Sequence, residues 1–397
     1  MGPRATVVSA TGSWPPGAHA PGSGPGRGSG PRWLALVVLL LGGLATTGLV
    51  PAAFAAGDPA VVVHNGPCNA STALALGGGL FVVADDEEKP PVTLRLYRSG
   101  QAGSVVGEGT IPAAAVAPVK DGHPELDLEG SARIGPLAYW IGSHGAAEAR
   151  GDKAQGIGGK GKSKGDGPLG DPRPNHHRLF ATTLGVRAEA AGNRMALTVE
   201  PVGRAYTTLI DDLAADPRHA RFALAAAARR PAKAKGGLNI EGLAATPAGG
   251  LLIGFRNPLP EGKALLVTLA NPNAVMGGEK AVFGDPVLLD LGGQGIRSLE
   301  RVNGNLLIVA GPAEGSKGKA IPSALYRWSG QPQAAAVRLR SFGPIGGAPV
   351  NPEGLFVDDN TLVVLSDDGN LERDGKACGD RPKAKQTFRE LRITPLP

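Results

Sequence analysis

The chain has 397 residues, with 41 Lys and Arg against 35 Asp and Glu, a net charge of +6 and only 4% aromatic residues. That length suits one large domain, while mild basicity with few aromatics argues against a nucleic-acid module. No G-x-S-x-G elbow, P-loop or H-E-x-x-H occurs, which removes the standard serine-hydrolase, nucleotide and zinc-protease routes.

At the N-terminus Arg32 precedes an apolar run over residues 34–50, and Ala53-Phe54-Ala55 supplies an A-x-A cleavage site. Residues 1–55 therefore read as a secretory signal, and 56–397 as the mature, exported protein, periplasmic or extracellular. The alternative is a retained anchor, for which the run is short and glycine-interrupted. No cysteine lies near the cleavage site for a lipid anchor. Loss of the segment leaves 38 Lys and Arg against 35 Asp and Glu, and no stable membrane span.

The two cysteines, Cys68 and Cys378, stand near opposite ends of the mature chain. In an oxidising compartment a disulfide between them would tie the termini together. Two separate buried thiols is the other reading.

A short phrase recurs along the mature chain: Asn69-Ala70-Ser71, Asp127-Leu128-Glu129-Gly130, Asn239-Ile240-Glu241-Gly242, Arg297-Ser298-Leu299-Glu300 and Asn351-Pro352-Glu353-Gly354. Each copy is followed by a turn and a β-branched or aromatic run ending in polar residues, as in Val82-Val83-Ala84-Asp85-Asp86. Such periods mark a repeat architecture, and short strands within each unit point to propeller blades. Taking Ser71, Glu129, Glu241, Glu300 and Glu353 as the key positions, the interval from Glu129 to Glu241 is about double the others. Two inserts account for it. Residues 151–174 hold a Gly-rich tract with Lys153, Lys160, Lys162 and Lys164 that reads as disordered. Residues 207–231 carry helix grammar: Thr208 with Asp211 resembles a capping box, and Asp216-Pro217 restarts a helix that ends at Pro231.

Strands then fall in units of four. After the key phrase the second unit offers residues 137–143, 177–184 and 195–200; the third 251–255, 264–269 and 287–291; the fourth 305–310, 324–328 and 335–339. The last unit has 361–365 and 387–393 and lacks one strand, which residues 60–64 can supply, removing an open sheet edge. The expectation is an all-β, five-bladed β-propeller forming a single domain, its N-terminal strand closing the last blade, with a small helical insert. Six blades is the alternative.

The phrase precedes each innermost strand, so Glu129, Glu241, Glu300 and Glu353 are expected near the axis with Ser71 in the fifth place. Like charges there repel by about 2 kcal/mol per pair at ~8 Å and an effective dielectric near 20. Three arrangements offset this. A hard cation, calcium above others, could sit among Glu129, Glu241, Glu353 and Asp367. Arg256, Arg297 or Arg133 could serve as fixed counter-charges. Or each glutamate could accept backbone N–H groups and staple blades. Functional residues are sought where the symmetry breaks: Ser71, the strand-end His144 as a general base, and Arg256-Asn257 as binders of an anionic group. His176-His177 reads as an exposed surface pair at a strand start rather than a metal site, which would need further ligands.

Gly237-Leu238-Asn239-Ile240-Glu241-Gly242-Leu243-Ala244, then Gly254-Phe255-Arg256-Asn257-Pro258 and Leu291-Gly292-Gly293-Gln294-Gly295-Ile296-Arg297-Ser298, resemble a bacterial exported family catalogued only as a domain of unknown function, family 3616. The resemblance spans nearly all of the mature chain and brings no activity with it. A more distant likeness, through the E-G-L and E-G-S phrase, is to esterase-like phytase and calcium-dependent lactonase propellers. It implies a channel cation held by acids, best matched here by Glu129, Glu241, Glu353 and Asp367. Two functions follow. One is a metal-assisted esterase, phosphoesterase or lactonase, with His144 relaying a proton and Arg256 and Asn257 binding substrate. The other is a non-catalytic propeller scaffold that binds a small molecule or a protein. Either is expected to be a monomer with no nucleic-acid partner.

Overall fold

Strands that are apolar without alternation belong inside a layered stack, because both faces are covered. Five segments of this chain have that character, and each is the second strand of a four-stranded antiparallel sheet. In the computed structural model, which describes residues 58–116, 119–120, 122–149, 169–189, 194–315 and 321–397, these sheets form the ring of a five-bladed β-propeller.

The first strand, β1 (Ala60–Asn65), is set aside for ring closure. Blade 1 is β2 (Ala70–Gly77), β3 (Leu80–Asp85), β4 (Val92–Arg98) and β5 (Gly107–Ile111); blade 2 is β6 (Leu128–Ile134), β7 (Leu137–Gly142), β8 (Leu179–Ala188) and β9 (Met195–Tyr206). Blade 3 is β10 (Asn239–Ala245), β11 (Leu251–Asn257), β12 (Ala264–Leu269) and β13 (Val287–Leu289), and blade 4 is β14 (Gly295–Val302), β15 (Asn305–Gly311), β16 (Ala324–Trp328) and β17 (Val337–Ser341). Blade 5 begins with β18 (Pro352–Asp358) and β19 (Thr361–Ser366). A small hairpin of β20 (Glu372–Arg373) and β21 (Lys376–Ala377) follows, and β22 (Thr387–Ile393) then pairs with β1 as the outermost strand. The N-terminal strand thus completes the last blade, as the missing fourth strand required.

Burial follows position in the blade. The second strands β11 and β19 are buried throughout, whereas outer β17 is largely exposed and β5 alternates with period two. The five first strands pack in order, β2 on β6, β6 on β10, β10 on β14, β14 on β18 and β18 on β2, closing the ring. The glycine of the E-G phrase is a packing requirement. A Cβ on Gly242 would lie 2.6 Å from Ile296 Cγ2 in the next blade, and one on Gly130 would lie 2.9 Å from Ile141 Cγ2 and 3.1 Å from Leu243 Cβ.

Cys68, ahead of β2, and Cys378, ahead of β22, form a disulfide with Cα atoms 5.9 Å apart across 310 residues of sequence. It joins blade 1 to blade 5 beside the β1–β22 closure. There His64 Nε2 lies 2.7 Å from Glu390 Oε2, and the His64 ring stacks on Phe388 at 5.0 Å.

The segment expected to be helical contains the helices Leu209–Ala215 and Leu224–Ala227. The proposed signal, residues 1–55, lies outside the described residues, as does most of the Gly/Lys insert. The insert's C-terminal end is described: Asp171 pairs with Ala147, Arg173 Nη1 lies 2.8 Å from Asp171 Oδ2, and Asn175 is fully buried. Among the described residues no helix is long and apolar enough to cross a membrane.

Candidate functional site at the channel mouth

Each innermost strand starts with the same irregularity. The pairing register shifts between Ala70 and Thr72 in β2, Leu128 and Gly130 in β6, Ile240 and Gly242 in β10, Ile296 and Ser298 in β14, and Pro352 and Leu355 in β18. The residues skipped are Ser71, Glu129, Glu241, Arg297 and, with Gly354 beside it, Glu353. A β-bulge leaves its extra residue unpaired and re-aims its side chain, so five equivalent side chains ring one mouth of the channel. The fourth place belongs to Arg297 and not, as the sequence reading had it, to Glu300. Glu300 lies three residues further along β14, at the opposite mouth. There it lines a cavity of about 320 Å³ shared by all five first strands, and burial pushes its carboxyl up to about 8.

Charge around the ring is segregated. Arg256, at the end of β11, donates from Nη1 to Glu241 Oε1 at 2.6 Å and from Nε to Pro312 O at 2.9 Å. Arg297 pairs with Glu353 and also has Nε 3.6 Å from Glu241 Oε2. Burial opposes ionisation of Glu241, but Arg256 and Arg297 outweigh it and hold the carboxyl below its ordinary value. Asparagines two residues upstream orient these carboxylates: Asn239 Nδ2 donates to Glu241 Oε1 at 2.8 Å, and Asn351 Nδ2 to Glu353 Oε1 at 3.2 Å and Asp367 Oδ2 at 2.9 Å. Arg133, the third arginine considered as a counter-charge, lines the opposite mouth.

Blades 1 and 2 are acidic instead. Where blades 3 and 5 carry Asn239 and Asn351, blade 2 carries Asp127, with a positive φ of 52°. Asp86 follows β3 by one residue. One carboxylate oxygen from each of Asp86, Asp127 and Glu129 lies within 4.8 Å of the others. Asp86 Oδ1 is shielded from solvent and has no hydrogen-bond partner among the described residues. Burial, then the charges of Asp127 and Asp367, pushes Asp86 well above the usual carboxylate range; burial, then Glu241, Asp127 and Asp86, does the same to Glu129. Asp367 is raised by burial despite the Gly369 N–H, Arg297 and Asn351. Asp85 is raised to about 7, again chiefly by burial.

The histidines divide between two environments. His176 Nδ1 lies 3.2 Å from Asp127 Oδ2 and 3.1 Å from Gly145 O, at the edge of the acidic group. His144 is fully buried with φ 57°. Its Nδ1 donates to Gly142 O at 2.8 Å, and its ring lies 5.2 Å from that of His177. Asn257 is occupied structurally, its Nδ2 donating to Ala232 O at 2.9 Å and Ala234 O at 2.7 Å. Asp368 is clamped by Arg389, which donates from Nε at 2.8 Å and Nη2 at 2.6 Å. The structure therefore brings together Glu129, Glu241, Glu353, Asp367 and Arg256 of the expected site, and places His144 and Asn257 elsewhere. Arg297 takes the counter-charge place expected of it, and the structure adds Asp86, Asp127 and His176. The signal for Asp127 is present in the sequence, as the one aspartate standing where three other phrases have asparagine, Asn69, Asn239 and Asn351.

No curated protein matches the chain. Among solved structures it is similar to a mutant Trypanosoma rangeli sialidase displaying trans-sialidase activity, at 10% identity and a TM-score of 0.37, covering 79% of this chain and 44% of that one. It is also similar to the exo-β-1,3-galactanase of Phanerochaete chrysosporium, at 8% identity and a TM-score of 0.40, covering 84% and 63% respectively. A third is the Cellvibrio cellulosa α-L-arabinanase complexed with arabinohexaose, at 12% identity and a TM-score of 0.35, covering 78% and 86%. The chain spans less than two thirds of the first two. By sequence, residues 174–342, from the end of the Gly/Lys insert through blade 4, match the family described as "Protein of unknown function (DUF3616)".

Proposed function

We propose that the chain is an exported propeller whose channel mouth holds a divalent cation, calcium above others, and hydrolyses an ester, phosphoester or lactone there. The observation carrying this reading is the triad Asp86, Asp127 and Glu129, with carboxylate oxygens within 4.8 Å and the buried Oδ1 of Asp86 unpartnered. Three ionised carboxylates so close repel by about 3 kcal/mol per pair at an effective dielectric near 20, which protons or a hard cation relieve. Oxygen donors from carboxylates suit calcium. In this reading Asp367 faces the triad, and Glu129 is the ligand retained from the expected set. Glu241 and Glu353 act through arginine. When bound, such an ion supplies Lewis-acid polarisation of a carbonyl or phosphoryl oxygen. Arg256 and Arg297 bias the same mouth toward an anionic group, and His176 Nδ1 stands 3.2 Å from Asp127 Oδ2 beside it.

The test is the melting temperature of residues 56–397 in excess chelator and then with calcium, magnesium, manganese and zinc in turn, followed by turnover of ester, lactone and phosphoester substrates. A ligand binding only the folded state stabilises by about 2.7 kcal/mol at a hundred times its Kd. A rise with calcium and turnover lost on chelation are expected; no response to any ion, or turnover that persists in chelator, overturns the reading.

One observation favours a second reading, a non-catalytic scaffold. Arg297 joins Glu241 of blade 3 to Glu353 of blade 5 across the ring, a pattern suited to holding blades together. In that case the triad titrates without binding an ion, and the mouth or the helical insert captures a partner.

A further inference from the structure

A groove of about 1220 Å³ runs between the helical insert and the end of the Gly/Lys insert, above the ~300–1,000 Å³ of ordinary small-molecule sites. Ile210 and Ala214 of one helix and Ala226 of the next supply apolar wall. Leu169 and Val119 also line it and are 53% and 48% exposed, a cost in water unless something apolar covers them.

The charged residues of the lining are mostly basic. Arg173, Arg178 and Arg229 border the groove against Asp211 alone. Arg173 is offset by Asp171, and Arg178 is directed at backbone carbonyls, donating from Nε to Val116 O and from Nη1 to Pro174 O, each at 2.7 Å. Arg229 is exposed at the rim. His177 contributes no charge at neutral pH, since burial lowers it to about 4. Behind it stands the fully buried His144. With Nδ1–H committed to Gly142 O, its shielded Nε2 is a bare acceptor without a hydrogen-bond partner among the described residues. An apolar trough with an uncharged imidazole wall and a cationic rim fits a ligand with a hydrocarbon body and one negative end.

We propose that this groove binds an aliphatic monocarboxylate, its chain along Ile210, Ala214, Ala226 and Leu169 and its carboxylate drawn to Arg229 with Arg178 and Arg173 beneath. The site is separate from the channel mouth, so it stands whether or not the mouth binds a cation.

The experiment is calorimetric titration of the mature protein with dodecanoate below its micellar concentration, with dodecanol and dodecylamine as controls. Saturable binding of dodecanoate is expected, about tenfold tighter than either control. Ala226→Trp, which fills the trough, should abolish binding. Arg229→Glu, a surface change that leaves the fold intact, should weaken dodecanoate by about tenfold or more and spare dodecanol. Absence of saturable dodecanoate binding overturns the proposal, as does equal affinity for dodecylamine or an Arg229→Glu variant that binds dodecanoate unchanged.

Discussion

Arg297 occupies in blade 4 the bulge that Glu241 occupies in blade 3, and its Nε lies 3.6 Å from Glu241 Oε2. One basic residue beside the three glutamates of the ring converts mutual repulsion into a bridge, because Arg297 also pairs with Glu353. All three side chains are at least nine-tenths buried.

Replacing Arg297 therefore strands Glu353 and leaves Glu241 with Arg256 alone. Arg297→Ala should destabilise by about 3–5 kcal/mol, the cost of breaking a buried pair from one side, read from the midpoint of urea unfolding. Arg297→Met/Glu353→Gln should recover a large part of that loss, since it removes both charges of the buried pair while Arg256 still holds Glu241. A single variant with wild-type stability would show that the bridge is not part of the ring's cohesion.

Asp127→Asn rewrites the blade 2 phrase to match those of blades 3 and 5. It removes one carboxylate from the triad, so in chelator the variant should be more stable than the wild type by about 1–3 kcal/mol. It should also lose any melting-temperature rise produced by calcium. Both effects come from the same scan with and without the ion.

The raised carboxyls give stability a definite pH dependence. Asp85, Asp86 and Glu129 bind protons more tightly folded than unfolded, so their contribution is present at low pH and lost as pH rises through the folded values, about 7 for Asp85. His144 and His177 are depressed and work in the opposite direction, their contribution falling away below about 6.5. Above that pH the histidines are neutral in both states and the acids alone remain. Glu300, raised to about 8 at the opposite mouth, acts in the same direction, so in chelator stability should fall between about pH 6.5 and 8, and saturating calcium should lessen the part of the slope that the triad contributes. Urea midpoints at three pH values in that window test this, and a midpoint rising with pH in chelator would contradict it.

Reduction of Cys68–Cys378 releases a loop of 310 residues. In the chain-entropy model its closure contributes about 5 kcal/mol at most, less where the denatured state keeps structure. The Cys378→Ser variant should fall by about 2–5 kcal/mol in unfolding free energy, and reductant should have no further effect on it.

The repeat phrase and the strand pattern together determined five blades, the closure by β1 and the place of the helical insert. A strand's period and a phrase's recurrence are local, and a propeller repeats one local unit, so pattern passes directly into architecture. The acids Glu129, Glu241 and Glu353 were legible for the same reason. Which of them faces a cation and which faces an arginine was not. Glu300 looks like the fourth key residue by letter alone, yet the bulge falls at Arg297, because register is decided by pairing with β15. His144 follows β7 by two residues and His176 precedes β8 by three, but only the backbone turn at Gly142–His144 and the packing of Pro174–His176 decide that one meets His177 and the other Asp127. Sequence specified the chemistry available at the mouth, and tertiary structure decided the pairings, since ionic partnership depends on distances between blades that no single repeat contains.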